Sequence, residues 1–417
     1  MKILWINCEL LHPLDKGGKI RTCEMLEHLK QDHDVTYLTF EDPSHTPEAI
    51  ERAGQYCDRL IRTPRRISRK FSVRFYFELL MNLLSPLPFV LQRYRSKSMQ
   101  DAIEDELSAS DYDVVVADFL VTSVNFRKRP NATWLLFQHN VESLIWQRHF
   151  EVEKNMLKKL YFYNQWKKMV AYERAACNKF DAVIAVSQVE RHIMRAAFGS
   201  IRVYDVPTGV NTDYFQPSGD ETVRPYSLVF TGSMDYLPND DGIHYFVEQI
   251  LPAVKRALPD VTLTVVGRNP LPGLVELGKT DSSITVTGRV DDVRPYIERA
   301  AAYIVPLRIG GGTRLKIYEA MAMGQCIVST SVGAEGLPVR HGEEILLADS
   351  AEDFADSIIK VLTDEQLAGD LRCSAAAMVR AHFGWDRTAN AFAEICQRVH
   401  LVDSADQVSV ASHELFS

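Results

Sequence analysis

Ala302-Tyr-Ile-Val-Pro-Leu-Arg-Ile-Gly-Gly-Gly-Thr-Arg-Leu-Lys-Ile-Tyr-Glu-Ala-Met-Ala-Met-Gly324 is the stretch whose reading decides the fold. Residues 302–307 form a short apolar run with the length and residue types of a buried strand. Three glycines, Gly310, Gly311 and Gly312, follow it, and Thr313 then opens a helical pattern that stops at Gly324. A glycine-rich turn between a strand and a helix N-terminus leaves backbone N–H groups aimed outward. Together with the helix dipole they form an anion site. Arg308, Arg314 and Lys316 surround that turn, and Glu319 sits one helical turn inside, placed to accept hydrogen bonds from a ribose. The plainer alternative is a tight strand-to-helix turn with solvated charges and a Lys316–Glu319 pair across one turn.

The run from Gly310 to Gly324, with Ile327-Val-Ser-Thr-Ser-Val-Gly-Ala-Glu-Gly-Leu337 after it, resembles the donor-binding segment of family 4 glycosyltransferases. Similar sequences occur in sugar transferases of bacterial exopolysaccharide synthesis. The resemblance implies an α/β protein of GT-B type, with two Rossmann-like domains facing across a cleft. It also implies a nucleotide-diphosphate sugar as donor, contacted by Gly311, Gly312, Thr313, Arg314 and Glu319 in this stretch.

At 417 residues the chain exceeds what one core usually serves, so two domains are expected. Its 46% hydrophobic and 24% charged residues are those of a globular protein rather than a disordered or fibrous one. Charge is uneven: residues 1–205 hold 30 basic against 26 acidic side chains, and the remainder 17 against 29. The first half is therefore expected to meet something anionic. Seven scattered cysteines, with no Cys-x-x-Cys pair, fit a reducing cytoplasm and argue against a zinc site. A leader is not expected ahead of the first strand, and Phe75 to Leu91 is polar-interrupted and shorter than the roughly 20 residues of a membrane span.

Through residue 207 strands alternate with helical patterns, the mark of a parallel sheet wrapped by helices. Candidate strands are 2–8, 35–40, 113–118, 133–138 and 182–187. After the first, Gly17 and Gly18 open a helix, on a loop that points beyond the carboxyl ends of the strands. The resemblance gives these glycines the donor's diphosphate; the alternative is a loop shaped only for chain direction. His139 follows strand 133–138 at the same edge and can bond a sugar hydroxyl or shift a proton. The resemblance puts it on the transferred sugar, whereas a lone histidine is more often structural. Asp111 and Asp113 tempt a metal reading but stand at the entry to an apolar strand.

Asp205 to Pro217 reads as the linker, giving an acceptor domain 1–207, a donor domain 208–384, a returning helix 385–402 and a loosely held tail 403–417. In the second half, strand Tyr226 to Gly232 runs into Ser233-Met-Asp-Tyr-Leu-Pro-Asn239. Many family members carry an arginine after this glycine and a lysine six residues on, both on the diphosphate. Ser233 and Asn239 occupy those positions here, and the first of two family glutamates falls on Gly311. Gly232 and Ser233 remain donor-side residues, and Arg308 and Lys316 are expected to replace the missing cations in catalysis. Arg289 and Val290, after strand Ile284 to Gly288, match the position that borders the nucleobase.

Two basic-aromatic stretches, Arg59 to Arg74 leading into Phe75 to Leu84, and Lys154 to Lys168, fit attachment to an anionic membrane surface. Ordinary solvated helix faces are the alternative. Nucleic acid is not expected, since no recognisable motif accompanies the charge. The reading is a retaining, metal-independent hexosyltransferase without a resident cofactor, acting on a glycan or lipid-linked acceptor in the cytoplasm or at the inner membrane face. An epimerase on the same fold would need acid-base groups aimed at the sugar, and a dehydrogenase lacks its Gly-x-Gly-x-x-Gly. A non-catalytic nucleotide-sugar binder stays open.

Overall fold

The computed structural model describes residues 1–14, 16–42, 45–65, 67–69, 71–127, 132–199, 202–309 and 315–414, with side chains described as far as 402. Backbone contacts divide the chain into two units, Met1–Pro207 with Thr388–Ser417, and Thr208–Arg387.

The first unit is built on seven parallel strands: β1 (Lys2–Ile6), β2 (Asp34–Glu41), β3 (Arg59–Pro64), β4 (Val114–Asp118), β5 (Thr133–Phe137), β6 (Ala182–Ala185) and β7 (Val203–Asp205). Their spatial order is β3-β2-β1-β4-β5-β6-β7. Helices cover both faces, so the central strands are apolar throughout rather than alternating. Along β1, Ile3 and Trp5 enter one core with Met25, Leu26 and Phe137, while Leu4 and Ile6 enter the other with Trp134 and Met169. The Trp385–Glu414 helix adds Ala389, Phe392, Cys396 and Val399 to the first of these cores, and Phe392 lies 5.3 Å from the Trp5 ring. Regular helix thus continues past residue 403.

The second unit has six parallel strands: β8 (Ser227–Thr231), β9 (Thr262–Val266), β10 (Ile284–Gly288), β11 (Ala302–Val305), β12 (Ile327–Ser329) and β13 (Leu346–Leu347), in the order β10-β9-β8-β11-β12-β13. β11 stops short of residue 307 because Pro306 has no N–H for the ladder. β6 likewise ends at Ala185, and Ser187 instead caps the Gln188–Phe198 helix, its Oγ accepting the Glu190 N–H at 3.2 Å. In each sheet the strand order reverses at one place, between β1 and β4 and between β8 and β11. At such reversals the loops leaving the strands part and leave room for a ligand.

The basic run from Arg59 finds its acids elsewhere in the unit. Arg59 pairs with Glu106, Arg62 with Glu41 at 3.1 Å and Arg74 with Glu78 at 2.9 Å. Arg65 lies over the rings of Phe40 and Tyr94. Arg66 and Lys70 lie outside the described residues. Much of the charge that the sequence offers to a membrane is therefore spent on internal pairs.

Candidate active site

In the first unit the site grows from Asp118, the last residue of β4 and wholly buried. Its Oδ2 accepts from Asn7 Nδ2 at 2.6 Å, Thr22 Oγ1 at 2.8 Å and Trp5 Nε1 at 3.1 Å. Its Oδ1 lies 2.7 Å from His139 Nε2. A buried carboxylate is costly unless donors replace its water, and four donors do so here. With Nε2 donating to the carboxylate, Nδ1 of a neutral His139 is left as an acceptor. Burial lowers the His139 pKa below its ordinary 6.5 and outweighs the raising effect of Asp118. The imidazole is therefore neutral at neutral pH, able to take a hydrogen bond from a hydroxyl.

The ring is held as firmly as the nitrogen. His139 stacks on Phe119 at 3.8 Å and 10°, and tilts against Phe137 at 4.6 Å. Phe119 sits at φ +66, a conformation that favours glycine. Gly17 and Gly18 open the Gly17–Asp32 helix, and a Cβ on Gly18 would come 2.6 Å from the Phe119 ring. Gly18 therefore makes room for the ring that backs His139. Asn7, Thr22 and Asp118 escaped the sequence reading; the available signal was an acid closing an apolar strand at the sheet's reversal. Asp113 accepts the Lys2 N–H at 2.7 Å, as expected of a residue at a strand's entry.

In the second unit β8 delivers Gly232 at φ +156. A Cβ there would stand 2.7 Å from Asn239 Nδ2 and 2.9 Å from Lys316 Nζ. Lys316, in the Leu315–Ala322 helix, donates to Asn239 Oδ1 at 2.9 Å, and its ammonium lies 4.0 Å over the Phe230 ring. Asn239 in turn donates to the Ser233 carbonyl at 2.8 Å. Ser233 Oγ receives Arg268 Nε at 2.9 Å and donates to Asp235 at 2.6 Å. Two cations thus reach the residues, Ser233 and Asn239, where the family pattern has its own. Arg268 was missed because it lies on a different strand's loop, 35 positions away.

Arg308 is engaged otherwise. It makes a two-pronged pair with Asp241, at 2.6 and 3.1 Å, over the Tyr245 ring. Glu319 is half-buried, and burial pushes its carboxyl up to about 7 against the lowering effect of Lys316. Arg289 is exposed and Val290 half-buried, just past the end of β10. Gly311, Gly312, Thr313 and Arg314 lie outside the described residues.

Among the described residues one group has metal-ligand chemistry, His12, Cys23 and Glu27, with its donor atoms within 4.8 Å of one another. Cys23 donates its S–H to Glu27 at 3.4 Å, and burial pushes the thiol far up, which disfavours the thiolate a metal would need.

Residues 16–214 match the family described as Glycosyltransferase Family 4, and residues 225–364 match Glycosyl transferases group 1. The chain belongs to the family 4 glycosyltransferases. A relative in the cps region of Klebsiella pneumoniae, itself uncharacterized, is 24% identical over 368 residues, covering 86% of this chain and 90% of the relative. Among solved structures, sucrose-phosphate synthase of Thermosynechococcus elongatus superposes with a TM-score of 0.72 at 19% identity, over 96% of this chain and all of that one. Anabaena HepE in complex with UDP and glucose superposes with a TM-score of 0.66 at 16% identity, over 95% of this chain and 100% of its own. At these identities the structures establish the fold of the transferase, two Rossmann-like units of the GT-B type.

Proposed function

We propose that this glycosyltransferase moves a hexose, with retention of configuration and without a metal ion, from a nucleotide-diphosphate sugar to a glycan or lipid-linked acceptor. Exopolysaccharide or another cell-surface glycan is the product class, and the enzyme works as a peripheral protein at the cytoplasmic face of a membrane. The observation that carries the reading is the Lys316 ammonium, set beside Gly232 at the reversal between β8 and β11. A departing diphosphate gains negative charge as the sugar bond breaks, and fixed cations stabilise it most in the transition state. Lys316 and Arg268 supply that charge, so no metal is called for. His139, neutral and fixed by Asp118, accepts a hydroxyl of the transferred sugar.

HepE was solved with UDP and glucose, which supports a nucleotide and sugar on this fold. The Klebsiella relative's location supports a surface polysaccharide. Radiolabelled nucleotide sugars incubated with the enzyme and membrane lipids test the proposal. Label passing from one donor to a lipid or glycan is expected. Label remaining on nucleotide, with its sugar epimerised, would establish the epimerase, and bound but unchanged donor would establish a binding protein.

A further inference from the structure

The Val73–Asn82 helix is folded with its polarity reversed. Two of its three polar residues face the protein, while Arg74 stands exposed: Asn82 is wholly buried and bonded to Gln165, Gln92 and the Leu87 carbonyl, and Glu78 takes bonds from Ser68 and Arg74. Most of its apolar residues face outward, with Phe75 and Leu79 half-buried. Val73 is 88% exposed, Phe77 62% and Leu84, just past the helix, 85%. With Leu80 they fall at helical spacing, i, i+4, i+7 and i+11, on one stripe. A soluble surface helix has the opposite arrangement.

A second stripe belongs to the Met156–Lys179 helix, where Met156, Leu157, Leu160 and Tyr163 are exposed. The two helices are joined where Gln165 Nε2 and Lys168 Nζ both bond Asn82, at 2.9 and 2.6 Å. Of the 23 large apolar side chains exposed among the described residues, eight lie between Phe71 and Leu84 and five between Val152 and Tyr163. That concentration marks an interaction surface rather than scattered exposure. Lys154, Lys158 and Lys167 stand exposed around the second stripe, while Glu153 is turned to the Asn155 N–H.

We infer that these two stripes seat the first unit on an anionic lipid bilayer, the apolar side chains entering the headgroup boundary and the lysines meeting lipid phosphates. Aromatic rings, leucines and a lysine fringe are the chemistry of a helix lying in that boundary. The Val73–Asn82 helix, at ten residues, is about 15 Å long, and among the described residues no helix is long and apolar enough to cross a membrane. The surface rests on the transferase reading for its purpose, to hold the enzyme where a lipid-linked acceptor lies. Its physical test needs no donor and stands apart from that reading.

Co-sedimentation with vesicles of equal parts phosphatidylcholine and phosphatidylglycerol provides the test. The wild type should pellet with these vesicles and stay in solution with phosphatidylcholine alone. Phe77→Ser with Leu80→Ser should release it while leaving the thermal midpoint unchanged, because both side chains already face solvent. Lys154→Gln with Lys158→Gln should weaken partitioning by about fivefold per lysine, most visibly at low salt. Failure of the wild type to pellet, or equal pelleting by the apolar variant, would overturn the inference. So would a dimer in light scattering that the Phe77 and Leu80 changes dissolve, since a second copy would then cover the stripes.

Discussion

His139 Nε2–H donates a hydrogen bond to Asp118 across 2.7 Å, and the same carboxylate holds Asn7, Thr22 and Trp5. Strand ends, helix start and site histidine are thereby tied to one buried charge. Asp118→Asn keeps the shape but replaces an all-acceptor group with one that also donates, so His139 loses a charge-assisted bond. Such bonds are worth about 1.5–3 kcal/mol, and turnover should fall roughly 10- to 100-fold. Asp118 also raises the His139 pKa, so the acid limb of the pH–rate profile should move to lower pH in the variant. A purely structural defect would lower the rate without moving that limb.

His139→Ala should lower turnover while nucleoside diphosphate affinity, measured by calorimetry, stays nearly unchanged. Wild-type activity should fall over a pH window that lies below the ordinary histidine value of 6.5, where the imidazole charges and its Nδ1 ceases to accept. Because its folded pKa lies below the unfolded one, His139 also makes the protein lose stability as pH falls through that window. Loss of nucleotide binding as large as the loss of rate would place the histidine elsewhere.

Lys316→Ala and Arg268→Ala should each cost about 10- to 100-fold in turnover at saturating donor, with nucleoside binding largely kept. Arg308→Ala should cost far less, because Asp241 already holds its guanidinium in a half-exposed pair worth at most about 1 kcal/mol. Steady-state kinetics of the three variants orders them. A larger effect at Arg308 than at Lys316 would reverse the assignment.

Glu319 titrates near the working pH. As pH rises through about 7 its carboxyl ionises and becomes a better acceptor for ribose hydroxyls, so ribonucleoside diphosphate affinity should rise. Glu319→Gln should flatten that dependence. The sign for stability is opposite: the folded state keeps the proton longer than the unfolded chain, so this group's contribution declines between about 4.5 and 7. A calorimetric series across that range checks both.

The two parallel sheets were legible because strands buried on both faces read as apolar runs, as at Val114 to Ala117 and Ala302 to Val305. His139 stands out as a candidate just past one such run, and Lys316 in the helix that follows the glycine turn after another. Asp118 was not, since one acid ending an apolar strand looks like the strand's boundary. Arg268 was hidden for another reason: only pairing β9 beside β8 brings its guanidinium to Ser233. The pairing of Arg59 and Arg62 was hidden because their partners, Glu106 and Glu41, lie elsewhere in sequence. The reversed helix after this basic run was visible only once burial showed which face pointed in.

Retaining transfer is tested most directly by proton NMR of the anomeric signals during reaction of the preferred nucleotide sugar with its acceptor. Donor signal should disappear in step with free nucleoside diphosphate, and the new glycosidic signal should carry the donor's anomeric configuration from its first appearance. An inverted first product, or nucleotide sugar that binds and is never consumed, would contradict it.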